Sequence, residues 1–237
     1  MSAFHLRYTT RMQHDRPPNV TRHGALGAIA ALGATLSGVP ALACVVAPEI
    51  EEGPFFIDER LNRSDLTGGT QRPGVVAAIP LRLTLRVEGL RGSACEPLAG
   101  AQVDLWHADA TGVYSDEAVM HTHGERFLRG YQTTGADGIA AFTTVFPGWY
   151  PGRAPHIHVK VRTYTPRGDL ARTFTSQLFF DEAATNAVFA NGLYAARGPM
   201  ETPNARDNYF DRRTLVPLKR GERGYAGTFT FAMRTGA

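Results

Sequence analysis

Residues 147–161 read PGWYPGRAPHIHVKV. From His156 to Val161 the stretch alternates, with His156 and His158 on one parity and Ile157, Val159 and Val161 on the other. In an extended strand the two parities point to opposite faces. The apolar set can bury against a sheet while both imidazoles, about 7 Å apart along the strand, project into one space. The Pro and Gly residues at 147, 148, 151 and 152 mark a turn-rich corner just before it.

The same period runs outward from this strand. In IPLRLTLRV (79–87), Leu81, Leu83, Leu85 and Val87 oppose Arg82, Thr84 and Arg86. AGAQVDLWHA (99–108), IAAFTTVF (139–146), TFTSQLFF (173–180) and GYAGTFTFAM (224–233) read as further strands. GADG (135–138) predicts a hairpin turn leading into 139–146. Residues 109–130 read as a long functional loop and residues 44–79 as an extended, irregular stretch. DEAATNAVFAN (181–191) has a helical pattern with Asp181 as its N-cap. With 25 glycines and 15 prolines, the chain predicts an all-β fold. The expected architecture is an antiparallel β-sandwich with long loops and one short helix.

The N-terminus reads differently. Residues 1–23 carry Arg7, Arg11, Arg16 and Arg22, and residues 24–43 carry no charge and end in Ala41-Leu42-Ala43. This is the pattern of a Sec-type signal peptide over 1–43, leaving one domain over 44–237 that is exported to the periplasm or the extracellular space, with no stable membrane span after processing. The leader's four Arg and one Asp account for the net charge of +3, so the remainder is near neutral. Its basic residues form no cluster with interleaved aromatics, which argues against nucleic acid as a partner. Cys44 and Cys95 are the two cysteines, and an exported context favours a disulfide between them. Lipidation of Cys44 is the alternative, although PALAC is a poor lipidation sequence.

A His-x-His pair alone is a weak signal, and the chain has a second at His121 and His123, in a polar loop without an apolar face. That second pair reads as solvated, or as a feature of a pocket rim. The company of the first pair matters more. Tyr150 lies six residues before His156, and Tyr114 follows a strand end. Tyrosinate is a hard, anionic donor that suits Fe³⁺ and matches Zn²⁺ or Cu⁺ poorly.

PLAGAQVDLWHADATGVYS, FLRGYQTTGADGIAAFTTVFPGWYPGRAPHIHVKV, SQLFFDE and the EGPFF at 52–56 together resemble the intradiol ring-cleavage dioxygenases. These include the catechol and protocatechuate 3,4-dioxygenases, and the resemblance runs from about Cys44 to about Asn191. It implies Tyr114, Tyr150, His156 and His158 as ligands of a non-haem ferric ion. Tyr150 would be displaced by a chelating catechol and take up a substrate proton. Arg153 and Gln177 would stand beside the substrate, with Arg153 stabilising negative charge, and Pro54 and Phe55 would line its pocket. The implied partners are a catechol and O₂, the implied product is of the cis,cis-muconate type, and a homo-oligomer is compatible. Only Pro151 and Gly152 separate Tyr150 from Arg153, a short form that resembles the exported branch of the family and leaves the choice of catechol open. A carboxylated catechol would want a further cation, with Arg72, Arg126, Arg129 and Lys160 as candidates. The competing reading is a non-catalytic transthyretin-like or carboxypeptidase-regulatory-like binding module, which shares the strand-turn-strand pattern and needs no such donor set.

Overall fold

A computed structural model describes residues 46–234 of the chain. The leader predicted over 1–43 and Cys44 lie outside the described residues. Cys95 sits half-buried in a short strand.

Among the described residues, nine strands form two sheets. In the first, β1 (Pro80–Arg91) is central. One of its edges is shared by β5 (Ile139–Val145), which pairs with its first half, and β2 (Ala94–Pro97), which pairs with its second half, both antiparallel. Its other edge carries β9 (Tyr225–Arg234), in register from Leu81↔Tyr225 to Leu90↔Arg234, and β8 (Leu218–Arg220) lies beyond. The β1–β9 pair is parallel, so this sheet is mixed where an antiparallel one was expected. Alternation places residues on faces but carries nothing about the direction of a partner more than a hundred residues away. The second sheet is antiparallel throughout: β4 (Arg129–Thr133), β3 (Gln102–Trp106), β6 (His156–Tyr164) and β7 (Leu170–Phe179).

The predicted alternation decides what each sheet buries. Leu81, Leu83, Leu85 and Val87 of β1, Phe229 and Phe231 of β9, and Ile157, Val159 and Val161 of β6 belong to one core between the sheets. GADG does make a turn, with Gly138 N–H donating to Gly135 O at 2.9 Å. It is not a hairpin, however. It carries the chain from β4 in one sheet to β5 in the other. Gly138, at φ +73°, lets the turn pack on β1, where a Cβ would lie 2.5 Å from Val87 O.

The helix at 181–191 is present as α2 (Glu182–Phe189), and the Asp181 carboxylate accepts from the N–H groups of Ala183 and Ala184. Two other short α-helices, α1 (Pro73–Val76) and α3 (Gly192–Arg197), depart from the single helix expected. At four and six residues they are too short to show a 3.6-residue period. Among the described residues no helix is long and apolar enough to cross a membrane.

One buried histidine ties the sheets together. His107, just past β3, places Nε2 2.6 Å from Thr144 Oγ1 on β5, while Nδ1 lies 2.8 Å from Ala108 O. A neutral ring that donates from Nδ1 and accepts at Nε2 satisfies both contacts. Burial pushes its pKa down to about 4, against an ordinary value of 6.5. The unfolded chain therefore binds the proton first, so the stabilisation from the neutral ring is complete above pH 6.5 and falls as the pH drops towards 4. His107→Gln is expected to flatten this part of the stability profile, measured by urea unfolding at stepped pH. An unchanged slope would show that other groups set it.

Candidate metal centre

Strand β6 turns one face to the core and the other to the site. His156, His158, Lys160 and Arg162 share that second face, and both histidines are nonetheless buried. Two stretches cover it. Segment 46–66 crosses from a bridge at Val46↔Ala232 to one at Asp65↔Thr143, and the loop after β3 carries Tyr114. The polar face of the sheet is thus enclosed rather than solvated.

The donors converge. His156 Nε2 lies 3.1 Å from His158 Nε2 and 3.3 Å from the Tyr150 hydroxyl. Tyr114 packs edge-on to Tyr150, with ring centroids 5.6 Å apart. Its hydroxyl is buried without a hydrogen-bond partner in the structure. His156 Nδ1 lies 2.7 Å from Ala154 O, which fixes the proton on Nδ1 and leaves the Nε2 lone pair facing His158 and Tyr150. Burial first, and the nearby Arg153 charge as well, hold both imidazoles well below the usual histidine range. Burial raises both phenols, that of Tyr114 well above its usual range, while the Arg153 charge partly opposes this at Tyr150. Neutral imidazoles whose Nε2 atoms point inward, beside phenols that ionise only with a cation at hand, form a donor set that fits a hard trivalent metal. The orphaned Tyr114 hydroxyl is the sharpest sign of that fit, since a buried polar group without a partner is costly.

The tight turn at 150–153 brings the tyrosine and the arginine to the same side. Arg153 N–H donates to Tyr150 O at 3.0 Å, with Pro151 and Gly152 at its centre and Gly152 at φ +82°, the arrangement of a type II turn. Arg153 Nη1 then reaches the Tyr150 hydroxyl at 3.3 Å, Nη2 donates to Gln177 Oε1, and Nε donates to Asp207 Oδ2 at 2.9 Å. Gln177 in turn donates to Glu51 O at 2.9 Å. Arg153 and Gln177 thus join Tyr150 in one connected network.

Phe55 stacks on Tyr114, with centroids 4.5 Å apart, and Met120 and Tyr150 belong to the same cluster. Gly53 follows the backbone so closely that a Cβ would sit 3.5 Å from His158 Cε1. Pro54 is exposed. His121 and His123 are exposed, away from the donors, and His123 faces Asp116 at 3.2 Å.

Several participants gave no signal in the sequence. Trp106 stacks on His158 at 4.8 Å and 9°, a contact created by the β3–β6 register. Asp207 accepts from Arg153 and from Ala154 N–H, and Tyr209 lies under the Arg153 guanidinium at 4.7 Å. Only the need of a half-buried arginine for an acid could have pointed to Asp207. The four candidate substrate cations have other roles. Arg72 pairs with Asp109 at 2.6 Å and Arg126 with Glu59 at 3.0 Å. Buried Arg129 donates to Phe55 O, Ser115 O and Ser115 Oγ, joining segment 46–66 to the Tyr114 loop. Lys160 pairs with Glu52 over the Phe56 ring.

Arg162 extends the same clamp, with Asp58 at 2.7 Å and Asp104 at 2.7 Å. Asp104 is buried, and burial already raises its carboxyl pKa against the pull of Arg162. Arg162→Met should cost about 1–3 kcal/mol by stranding this acceptor, read by urea unfolding, and should speed limited proteolysis near residue 58. Equal proteolysis rates would show that segment 46–66 holds without the clamp.

Comparison with known proteins agrees with this geometry. A family model described as dioxygenase matches residues 52–185. The chain belongs to the intradiol ring-cleavage dioxygenases. It is 28% identical over 182 residues to catechol 1,2-dioxygenase 1 of Acinetobacter lwoffii, covering 66% of this chain and 52% of the relative. The chain thus spans about half the length of that curated relative. The structure resembles an intradiol ring-cleavage dioxygenase from Tetranychus urticae at 29% identity and TM-score 0.69, over 81% of this chain and 95% of that one. It also resembles the dioxygenase domain of a dioxygenase carbohydrate-binding protein fusion from Streptomyces sp. SirexAA-E, at 31% identity and TM-score 0.59, over 81% and 100%. As an intradiol family member with a buried donor cluster, the chain departs from the binding-module alternative, which would leave those donors without purpose.

Proposed function

We propose that this protein is a non-haem iron dioxygenase that opens catechols between the two hydroxylated carbons, using O₂, to give cis,cis-muconate-type products. The observation that carries this is the meeting of two inward Nε2 atoms with two phenols, the buried one, Tyr114, without a hydrogen-bond partner among the described residues. Tyr114, Tyr150, His156 and His158 would hold the ion. When bound, Fe³⁺ would supply Lewis acidity that favours the ionised catechol and activates its ring towards O₂.

The chain supplies the rest. The Tyr150 oxygen, 3.3 Å from Arg153 Nη1, would act as a base once ionised by a bound cation, taking a proton from a substrate hydroxyl as the phenolate returns to phenol. The Arg153 guanidinium stabilises negative charge on the substrate oxygens, and because Asp207 and Gln177 already orient it, little reorganisation is needed. Phe55 and Trp106 keep bulk water from the donors. We also propose export after removal of residues 1–43 and a Cys44–Cys95 disulfide.

The test is iron loading followed by oxygen uptake. Loaded protein should be reddish, from tyrosinate-to-iron charge transfer, and should consume O₂ with catechol while a muconate absorbance appears. A protein that binds iron yet stays colourless, or that takes up no O₂ with any catechol, would overturn the reading.

A further inference from the structure

The cations a charged substrate would need are already engaged, and the rim of the site is acidic. Arg153 is held by Asp207, Tyr150 and Gln177 and, on the proposed function, serves the two ring oxygens of the substrate. Arg72, Arg126 and Lys160 each pair with a carboxylate, and Arg129 is buried on carbonyls and a hydroxyl. The covering segment 48–59, PEIEEGPFFIDE, contains five acids and no base. Three of them, Glu52, Asp58 and Glu59, pair with Lys160, Arg162 and Arg126. The exposed Glu49 and Glu51 have no ion-pair partner among the described residues. Arg60, next along the chain, faces Asp58. Glu51 lies at the site itself, since its carbonyl accepts from Gln177 and its carboxylate faces the Tyr209 hydroxyl, whose ring covers Arg153. Around Tyr114 and Tyr150 the packing is apolar, with Phe55 and Met120 in the same cluster.

We infer that the substrate is a catechol whose ring substituents carry no negative charge, and that Glu51 selects against anionic catechols. This rests on the proposed dioxygenase reading of the site. A carboxylate on the ring would meet Phe55 and Met120 with no cation to receive it, or would approach the unpaired Glu51 carboxylate. Both cost binding, the first through desolvation and the second through like-charge repulsion. An uncharged or alkyl-substituted ring meets neither penalty. The repulsion acts between exposed groups, so it should weaken with added salt.

The experiment measures anaerobic binding by calorimetry, and kcat/KM in air, for catechol, 4-methylcatechol and 3,4-dihydroxybenzoate with the iron-loaded protein. The two uncharged catechols should bind and react at least about tenfold better than the carboxylate. Glu51→Lys should narrow that ratio by at least about threefold, and more at low salt than at high. Equal affinity for 3,4-dihydroxybenzoate and catechol, or a ratio that Glu51→Lys leaves unchanged, would overturn the inference and leave the dioxygenase reading standing. If none of the three binds, that reading fails and the inference fails with it.

Discussion

Tyr114→Phe should fold normally yet lose iron and colour. The substitution removes one oxygen from a buried ring that keeps its stacking on Phe55 at 4.5 Å, and that oxygen has no hydrogen bond to lose. Its removal should therefore be neutral or stabilising for the metal-free fold, because an unsatisfied buried hydroxyl is a cost. On the proposed function the same oxygen is a ligand. Loss of an outer partner of a metal ligand lowers metal affinity by about 10–100-fold, and loss of the ligand itself should exceed that range. Iron titration, the visible spectrum and thermal unfolding of the metal-free protein separate the two effects. Unchanged iron affinity would remove Tyr114 from the ligand set. A large loss of metal-free stability would instead give the hydroxyl a structural role.

Asp207→Ala should be among the most destabilising single changes outside the core. The Asp207 side chain is fully buried, and its carboxylate accepts from Arg153 Nε, from Ala154 N–H and from Tyr209 N–H. Removing one partner of a buried ion pair strands the other charge and costs about 3–5 kcal/mol. Adding Arg153→Met should recover part of that loss, because the stranded charge goes with the arginine. Urea unfolding of both single variants and the double variant closes the cycle. If the double variant is no more stable than Asp207→Ala, the cost lies in the two orphaned backbone N–H groups instead. In Asp207→Ala, Arg153 should also lose its aim at Tyr150, lowering kcat more than it raises KM.

How much of this was legible beforehand differs by element. The alternation read from His156 to Val161 falls within β6, which begins at the same residue and runs on to Tyr164. A period of two identifies a strand and sorts its faces without reference to any partner. The helix at 181–191 was readable for a related reason, since Asp181 caps it locally. The parallel β1–β9 pair, the β2, β4 and β8 strands, and the passage of residues 135–138 between sheets were not readable. Each depends on which remote edge a strand meets. Gly130, for example, pairs with Leu105 as the second residue of β4, while Leu66 packs so close that a Cβ on Gly130 would meet it at 2.7 Å.

The site divides in the same way. The sequence by itself determined that two imidazoles share one strand face, that Ile157, Val159 and Val161 oppose them, and that Tyr114 and Tyr150 lie in stretches that resemble the family. These follow from covalent order and the alternation of the extended chain. Only the tertiary structure decided that the polar face is sealed by segment 46–66, that Trp106 stacks on His158, and that Asp207 holds Arg153. It also decided that Lys160 and Arg129, candidates for a substrate carboxylate, are instead fastened to Glu52 and Phe55. A residue's type states which interactions it can make. Which of them a charged side chain does make depends on the acids and carbonyls that folding brings within a few ångströms, often from a hundred residues away, as with Arg162 and Asp58.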